Sequence, residues 1–285
     1  KMKIIKYFFE FIVIVTFFLF FKILGLRLSS FIGGKIGKFL GPFFRSKKII
    51  SSNIRRALPN SSSDEIKKIS DTMWSNYGKI LSEYMFLKKL RSSKNVTIEG
   101  KDILDQIIKN DKPVIFVSGH FSNFELMAMM IDRSGVKLAA LYRPLNNFFL
   151  NFVMERLRKK YICKNQIKKG IKGLKELLTF FKSGHSIALM IDQRVTEGIS
   201  SKFFNDEAFT TTVPAQFAQK FNCEIVTVYI ERKNSSDFKI KINKPLKFKK
   251  DDGIEGITRT LNACLEEMIL RNPGQWIWSH NRWKK

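Results

Sequence analysis

This 285-residue chain is short of acidic residues, cysteine, histidine and proline. Its 25 Asp+Glu stand against 51 Lys+Arg, a formal net charge of +26. Only 7 Pro and 16 Gly accompany 44% apolar residues, which excludes a disordered tail and a collagen-like fibre. Three widely spaced cysteines, Cys163, Cys223 and Cys264, build neither a disulfide framework nor a Cys-x-x-Cys site, so a reducing compartment is expected. No His/Cys/Asp cluster has ligand spacing, and no metal is expected. There is no G-x-S-x-G elbow, no internal repeat and no low-complexity linker. The charge asks for a polyanionic partner: nucleic acid, an anionic membrane surface or an acidic carrier protein.

What the chain has in quantity is phenylalanine, 27 in all, concentrated near its start. From Phe11 to Phe21 (FIVIVTFFLFF) no charged residue interrupts the run, and the greasy zone extends from Ile4 to Leu28 around Lys6, Glu10, Lys22 and Arg27. A span needs about 20 apolar residues, more than the uninterrupted run supplies, but Lys22 and Arg27 can snorkel to the headgroups. No small-x-small cleavage site follows, which disfavours a signal peptide. The next stretch, Ser30 to Asn60, holds Lys35, Lys38, Arg45, Lys47, Lys48, Arg55 and Arg56 and no acid, with Phe31, Phe39, Phe43 and Phe44 between them. A basic, Phe-rich segment after an apolar helix reads as a surface on anionic lipid, on the cytoplasmic side. Without a nucleic-acid-binding motif, nucleic acid is not expected as a partner. The simplest division is a membrane anchor over 1–29 and one catalytic domain over 30–285 that opens with the basic membrane-facing segment.

Ser62 and Glu65 stand at capping-box spacing and open a helix predicted to run to about Leu90. Beyond it, strand and helix patterns alternate. Strands are predicted at Val96–Glu99, Val114–Ser118, Lys137–Tyr142, Ser186–Ile191, Glu224–Glu231 and Phe238–Ile242. Helices are predicted at Asp102–Lys109, Asn123–Arg133, Asn147–Lys160, Ile171–Lys182, Pro214–Phe221 and Ile254–Leu270, and the Lys-rich region around Cys163 reads as helical. The fold class is therefore α/β, a mixed sheet flanked by helices, preceded by an N-terminal hydrophobic anchor helix.

Ligands of open α/β sheets sit at the carboxyl ends of strands. The most polar such end is Ser118-Gly119-His120-Phe121-Ser122-Asn123-Phe124-Glu125. His120 stands in the turn after an apolar strand. Glu125, in the first turn of the following helix, could hold the imidazole Nδ1–H, which makes a general base for a hydroxyl. Ser122 and Glu125 also have S-x-x-E spacing, so a capping box competes with that role. Arg143 ends the next strand and could bind a phosphate or an oxyanion, or be merely solvated. Asp192 and Gln193 end a third strand at the same edge, where Asp192 could equally be a turn former. Trp276, Trp278 and Trp283 read as packing, and His280 and Arg282 have no assigned role.

SGHFSNFELMA resembles the His-x4-Asp/Glu motif of glycerolipid-type acyltransferases, and more specifically that of the late acyltransferases of lipid A biosynthesis. Leu141-Tyr142-Arg143-Pro144-Leu145-Asn146-Asn147 resembles that family's YRP-x-N segment, and Met190-Ile191-Asp192-Gln193 with Phe203-Phe204 and Thr210-Thr211-Thr212 its DQ…FF…ATT stretch. Pro273-Gly274-Gln275-Trp276-Ile277-Trp278-Ser279-His280-Asn281-Arg282-Trp283-Lys284 is similar to its closing block. Ser122 and Phe124 stand where the family often has Gly and Trp, and Asn205 where it commonly has Gly. The resemblance implies a membrane-bound O-acyltransferase of the bacterial inner membrane. Its co-substrate would be an acyl carrier protein or CoA thioester, with no further cofactor, and its acceptor a hydroxyl of a lipid A precursor. His120 and Glu125 would be catalytic, with Asn123, Arg143, Asp192 and Gln193 binding substrate and no covalent intermediate required. The readings beside it are a lysophospholipid or glycolipid (mannoside-type) acyltransferase using acyl-CoA, and a non-enzymatic basic protein that binds anionic lipid. The seven lysines between Lys159 and Lys175 could dock an acidic carrier protein.

Overall fold

Short runs of Val, Ile, Leu and Phe bounded by turns become strands buried on both faces, and such strands assemble as a parallel sheet under helices. The computed structural model describes residues 2–284. Its helices are α1 (Met2–Leu24), α2 (Leu26–Phe44), α3 (Lys47–Ala57), α4 (Ser63–Glu83), α5 (Leu87–Ser92), α6 (Lys101–Asn110), α7 (Glu125–Arg133), α8 (Phe148–Tyr161), α9 (Ile171–Lys182), α10 (Val213–Phe221) and α11 (Gly253–Arg271). Its strands are β1 (Val96–Glu99), β2 (Ile115–Ser118), β3 (Leu138–Tyr142), β4 (Asn165–Lys168), β5 (Ser186–Met190), β6 (Ile199–Phe203), β7 (Asp206–Thr210), β8 (Ile225–Arg232) and β9 (Phe238–Ile242).

Seven strands form one sheet in the order β1-β9-β8-β2-β5-β3-β4. From β8 to β4 neighbours are parallel; β9 is antiparallel to β8, so the sheet is mixed, as the alternating pattern predicts. β5 inserts between β2 and β3, with Ser118 opposite Met190 and Ala140 opposite Ala188. Three consecutive strand ends therefore carry residues 119–125, 191–193 and 143 along one edge.

The predicted elements lie where the structure has them, within one or two residues, with several differences. The helix opened by the Ser62–Glu65 capping box, which is present in full, stops at Glu83 rather than Leu90. A 3-10 turn at Tyr84–Phe86 separates it from α5. The break falls where Glu83 and Tyr84 are claimed by Arg232 and by Glu125 respectively. The Lys-rich region around Cys163 leaves the helix at Tyr161 and forms the edge strand β4. The antiparallel pair β6–β7 and helices α2 and α3 within the basic segment are not predicted from the sequence, although α3 buries Ile50, Asn53, Ile54 and Ala57 at helical spacing. α2 packs on α4 at van der Waals contact of the backbones: a Cβ on Gly78 would lie 1.9 Å from the carbonyl oxygen of Gly33.

The closing segment after α11 is woven into the core. Trp276, Trp278 and Trp283 are buried with Phe203, and Trp276 and Trp278 meet edge to face at 4.7 Å. Burying such side chains contributes about 2–3 kcal/mol each. The packing role expected for these tryptophans is therefore present, but Trp276 does more than pack.

Candidate active site

The loop that follows β2 is held in an unusual shape. Ser122 lies in the left-handed region, at a φ of 45°. Two neighbours fix it there: Ser122 N donates to the carbonyl oxygen of Gln275 at 2.8 Å, and Asn76 Nδ2 donates to the carbonyl of Ser122 at 3.1 Å. Gly is the residue least strained in this region, which fits the glycine common at this position in the family that the motif resembles. Gln275 also brackets the end of β8, since its Oε1 accepts from Arg232 N at 2.7 Å and its Nε2 donates to Arg232 O at 2.9 Å.

His120 sits beside Asp192 because Ser118 and Met190 are partners, so residues two positions further along each strand face one another. His120 Nδ1 lies 2.8 Å from Asp192 Oδ1, and the backbone N–H of His120 donates to Asp192 Oδ2 at 2.7 Å. Trp276 Nε1 donates to the same oxygen at 2.9 Å. The carboxylate is wholly buried and the imidazole is about one-fifth exposed, at 19%. Gly119 permits this approach, since a Cβ there would stand 3.1 Å from Asp192 Oδ2 and 2.9 Å from the ring of Phe121. Burial by itself disfavours imidazolium, but the charge and hydrogen bond of Asp192 and the more distant Glu125 charge together outweigh it, and the His120 pKa is raised. Burial likewise works against the Asp192 carboxylate, but the His120 charge and three donors hold its pKa below the usual value. A carboxylate on Nδ1 fixes the ring so that Nε2 is the nitrogen left to take a proton. The ring of Phe124 meets the imidazole edge to face at 4.7 Å.

Glu125 was expected to hold His120 Nδ1; in the structure Asp192 holds it. Glu125 instead accepts from Arg158 Nε at 2.9 Å, from Arg158 Nη2 at 2.5 Å, and from the hydroxyl of Tyr84. Arg158 Nη2 also donates to Tyr84 at 3.1 Å, and the guanidinium lies over the Tyr142 ring at 5.5 Å. Burial and the Glu125 charge push the Tyr84 pKa well up, so its hydroxyl stays protonated. The Ser122–Glu125 capping box does not form: Ser122 Oγ is buried without a partner, and the helix begins at Glu125 itself.

The remaining candidates divide. Asn123, expected to bind substrate, is buried and gives its amide to Glu83 Oε2 at 2.8 Å. Glu83, wholly buried, forms a two-pronged pair with Arg232 at 2.6 and 3.0 Å, so Asn123 ties the loop to α4. Asp192, also expected to bind substrate, is enclosed and positions the imidazole instead. Arg143 is exposed at the end of β3, roughly 10 Å from the β2 edge by strand spacing, and Gln193 is half-buried at the end of β5. His280 Nε2 accepts from Arg194 N at 3.0 Å, and burial pulls its pKa down to about 4, so it is neutral. Arg282 is buried and donates to Thr210 Oγ1 at 2.6 Å, fixing the β6–β7 pair against the tail. Burial pushes the thiols of Cys163 and Cys223 up to about 12, far from thiolate.

The mixed sheet thus sets His120 against buried Asp192 at its strand ends, while burial keeps the Cys163 and Cys223 thiols far from thiolate. Comparison with known proteins gives the class, O-acyltransferase. The model of the bacterial lipid A biosynthesis acyltransferases matches residues 1–285, and the chain belongs to that family. It is similar to the lipid A biosynthesis palmitoleoyltransferase of Escherichia coli K12, 26% identical over 262 residues that cover 89% of this chain and 84% of the relative. A lipid A biosynthesis acyltransferase 2 of Shigella flexneri is 23% identical, over 86% of this chain and 80% of its own length. The lipid A biosynthesis myristoyltransferase of E. coli K12 is 21% identical, over 86% of this chain and 77% of its own.

Proposed function

We propose that the chain transfers a fatty acyl group from an acyl carrier protein or CoA thioester to a hydroxyl of a lipid A precursor, with His120 as general base. The observation that carries the reading is the pair of His120 Nδ1 with buried Asp192, which leaves Nε2 of the partly exposed imidazole to take a proton. In the proposed step the acceptor hydroxyl gives its proton to His120 Nε2 as its oxygen attacks the thioester carbonyl. Asp192 stabilises the imidazolium that forms, as in the hydrolase triads. The tetrahedral intermediate then collapses, the carbon–sulfur bond breaks, and Nε2 returns the proton to the departing sulfur. The products are an ester and a free thiol. Glu125, neutralised by Arg158, serves to fix the loop and α8 rather than to turn the imidazole.

Arg143 and Gln193, on the strand ends beyond His120, are the groups we assign to the acceptor; a guanidinium suits a phosphate of a phosphorylated glycolipid. The apolar helix α1, long enough to cross a membrane, and the acid-free segment after it support an enzyme of the bacterial inner membrane whose catalytic domain faces the cytoplasm. Membrane fractions supplied with radiolabelled lipid A precursor, and separately with acyl carrier protein and CoA donors, test the assignment. Transfer that vanishes in His120→Ala supports it. His120-dependent transfer to a lysophospholipid or mannosylated lipid, and none to the lipid A precursor, would reassign the acceptor.

A further inference from the structure

α1 is docked on the catalytic domain along one seam. Tyr7, Glu10, Phe11, Ile14, Phe18 and Phe21 recur at helical spacing and are among the α1 residues that lose exposure, Phe18 and Phe21 almost completely. Tyr7 meets Phe148 edge to face at 6.4 Å, and Phe11 meets Phe149 at 5.9 Å. Asn147 Nδ2 donates to the carbonyl of Tyr7 at 2.8 Å and to Glu10 Oε2 at 3.2 Å, while its Oδ1 caps α8 through Leu150 N. At the other end Ser29 Oγ donates to the carbonyl of Phe21 at 2.6 Å. From Tyr7 to Phe21 the seam is about 21 Å long at 1.5 Å per residue. A hydrocarbon core is about 30 Å thick, so a helix crossing it could not keep this seam unless the domain entered the bilayer with it.

The side of α1 away from the seam, with Ile5, Phe9, Ile12, Phe20 and Ile23, is exposed and apolar. Phe31, Lys35, Phe39 and Phe43 of α2, four residues apart, are exposed as well. Peeling α1 away to span would also strip Glu10 of Asn147 and carry a carboxylate into hydrocarbon.

We propose that α1 does not cross the bilayer but lies in the plane of one anionic leaflet, its Tyr7–Phe21 seam kept on the catalytic domain and its opposite face in the acyl chains. Both ends of the apolar run then face one compartment. This rests on the reading of the chain as membrane-bound.

The test uses the whole chain in bacterial membranes with one added cysteine, Lys3→Cys or Lys48→Cys, both at exposed positions. A membrane-impermeant maleimide is applied to intact spheroplasts and to inverted vesicles, with the unsubstituted chain as background. Both cysteines are expected to label at least tenfold more in inverted vesicles. Labelling of Lys3→Cys from the face opposite to Lys48→Cys would overturn the in-plane helix and leave membrane binding intact. Recovery of the chain in the soluble fraction would instead remove the membrane reading itself. In the same membranes a short bismaleimide is expected to join Phe11→Cys to Phe149→Cys; loss of that cross-link, with Lys3→Cys labelled from the far side, would show α1 detached.

Discussion

Two carboxylates stand on either side of the loop after β2, both enclosed, and they do different things. Asp192 faces a titratable partner, His120, and the pair borders solvent through the imidazole. Glu125 faces Arg158, which cannot give up its proton, with Tyr84 closing the other side. The first pair can take up and release a proton at the imidazole; the second pairs an acid with a cation that does not titrate and so fixes geometry. The motif's histidine and glutamate are close in sequence, but the sheet register gives the histidine to a residue 72 positions away.

The comparison can be broken at either pair. His120→Ala should lower acyl transfer by on the order of 10³-fold or more with binding of lipid nearly unchanged, in a membrane assay with saturating donor. Asp192→Asn should lower it by roughly 10²–10⁴-fold while the fold persists, because the carboxylate that selects the ring orientation is lost. Arg158→Leu should act on stability first. It leaves Glu125 buried without a cation, at a cost of about 3–5 kcal/mol by denaturant unfolding. Double replacement with Glu125→Leu should recover much of that loss, which separates a structural pair from a catalytic one. The smallest effect is expected at Ser122. Ser122→Gly relieves the left-handed backbone and should change stability by less than about 1 kcal/mol, in the stabilising direction, whereas Ser122→Val should destabilise.

Stability should follow pH with the signs of the shifts. His120, raised in the folded state, contributes stability that is complete below its ordinary value near 6.5 and is lost as pH rises through its folded pKa. Asp192, lowered, contributes stability present above the ordinary carboxylate range and lost as pH falls through its folded pKa. His280 works in the same sense as Asp192: neutral in the fold, it costs stability as pH drops from about 6.5 towards about 4.

Most of the sheet is legible in the sequence because its strands are short apolar runs with turn residues between them. The position of β5 is not, because strand order depends on crossovers that a pattern of alternating elements leaves open. That one gap explains the misassigned partner of His120: Glu125 is local and visible, and Asp192 becomes adjacent only when β5 lies against β2. Gln275 and Trp276 were visible as a block in the closing segment, yet their bonds to Ser122 and Asp192 need the tail folded back on the site. Glu83 and Arg232 carry no signal beyond being charged within apolar surroundings. The β6–β7 pair was missed because Ile199-Ser200-Ser201-Lys202-Phe203 alternates weakly and depends on α11 and the tail to cover it.

The pH dependence of acyl transfer by the unsubstituted chain, Asp192→Asn and Glu125→Gln, measured under single-turnover conditions, decides between the two pairs. If Asp192 sets the His120 base, the acidic limb of the profile moves to lower pH in Asp192→Asn and moves by less in Glu125→Gln. A limb displaced more by Glu125→Gln than by Asp192→Asn would contradict it and return Glu125 to the imidazole.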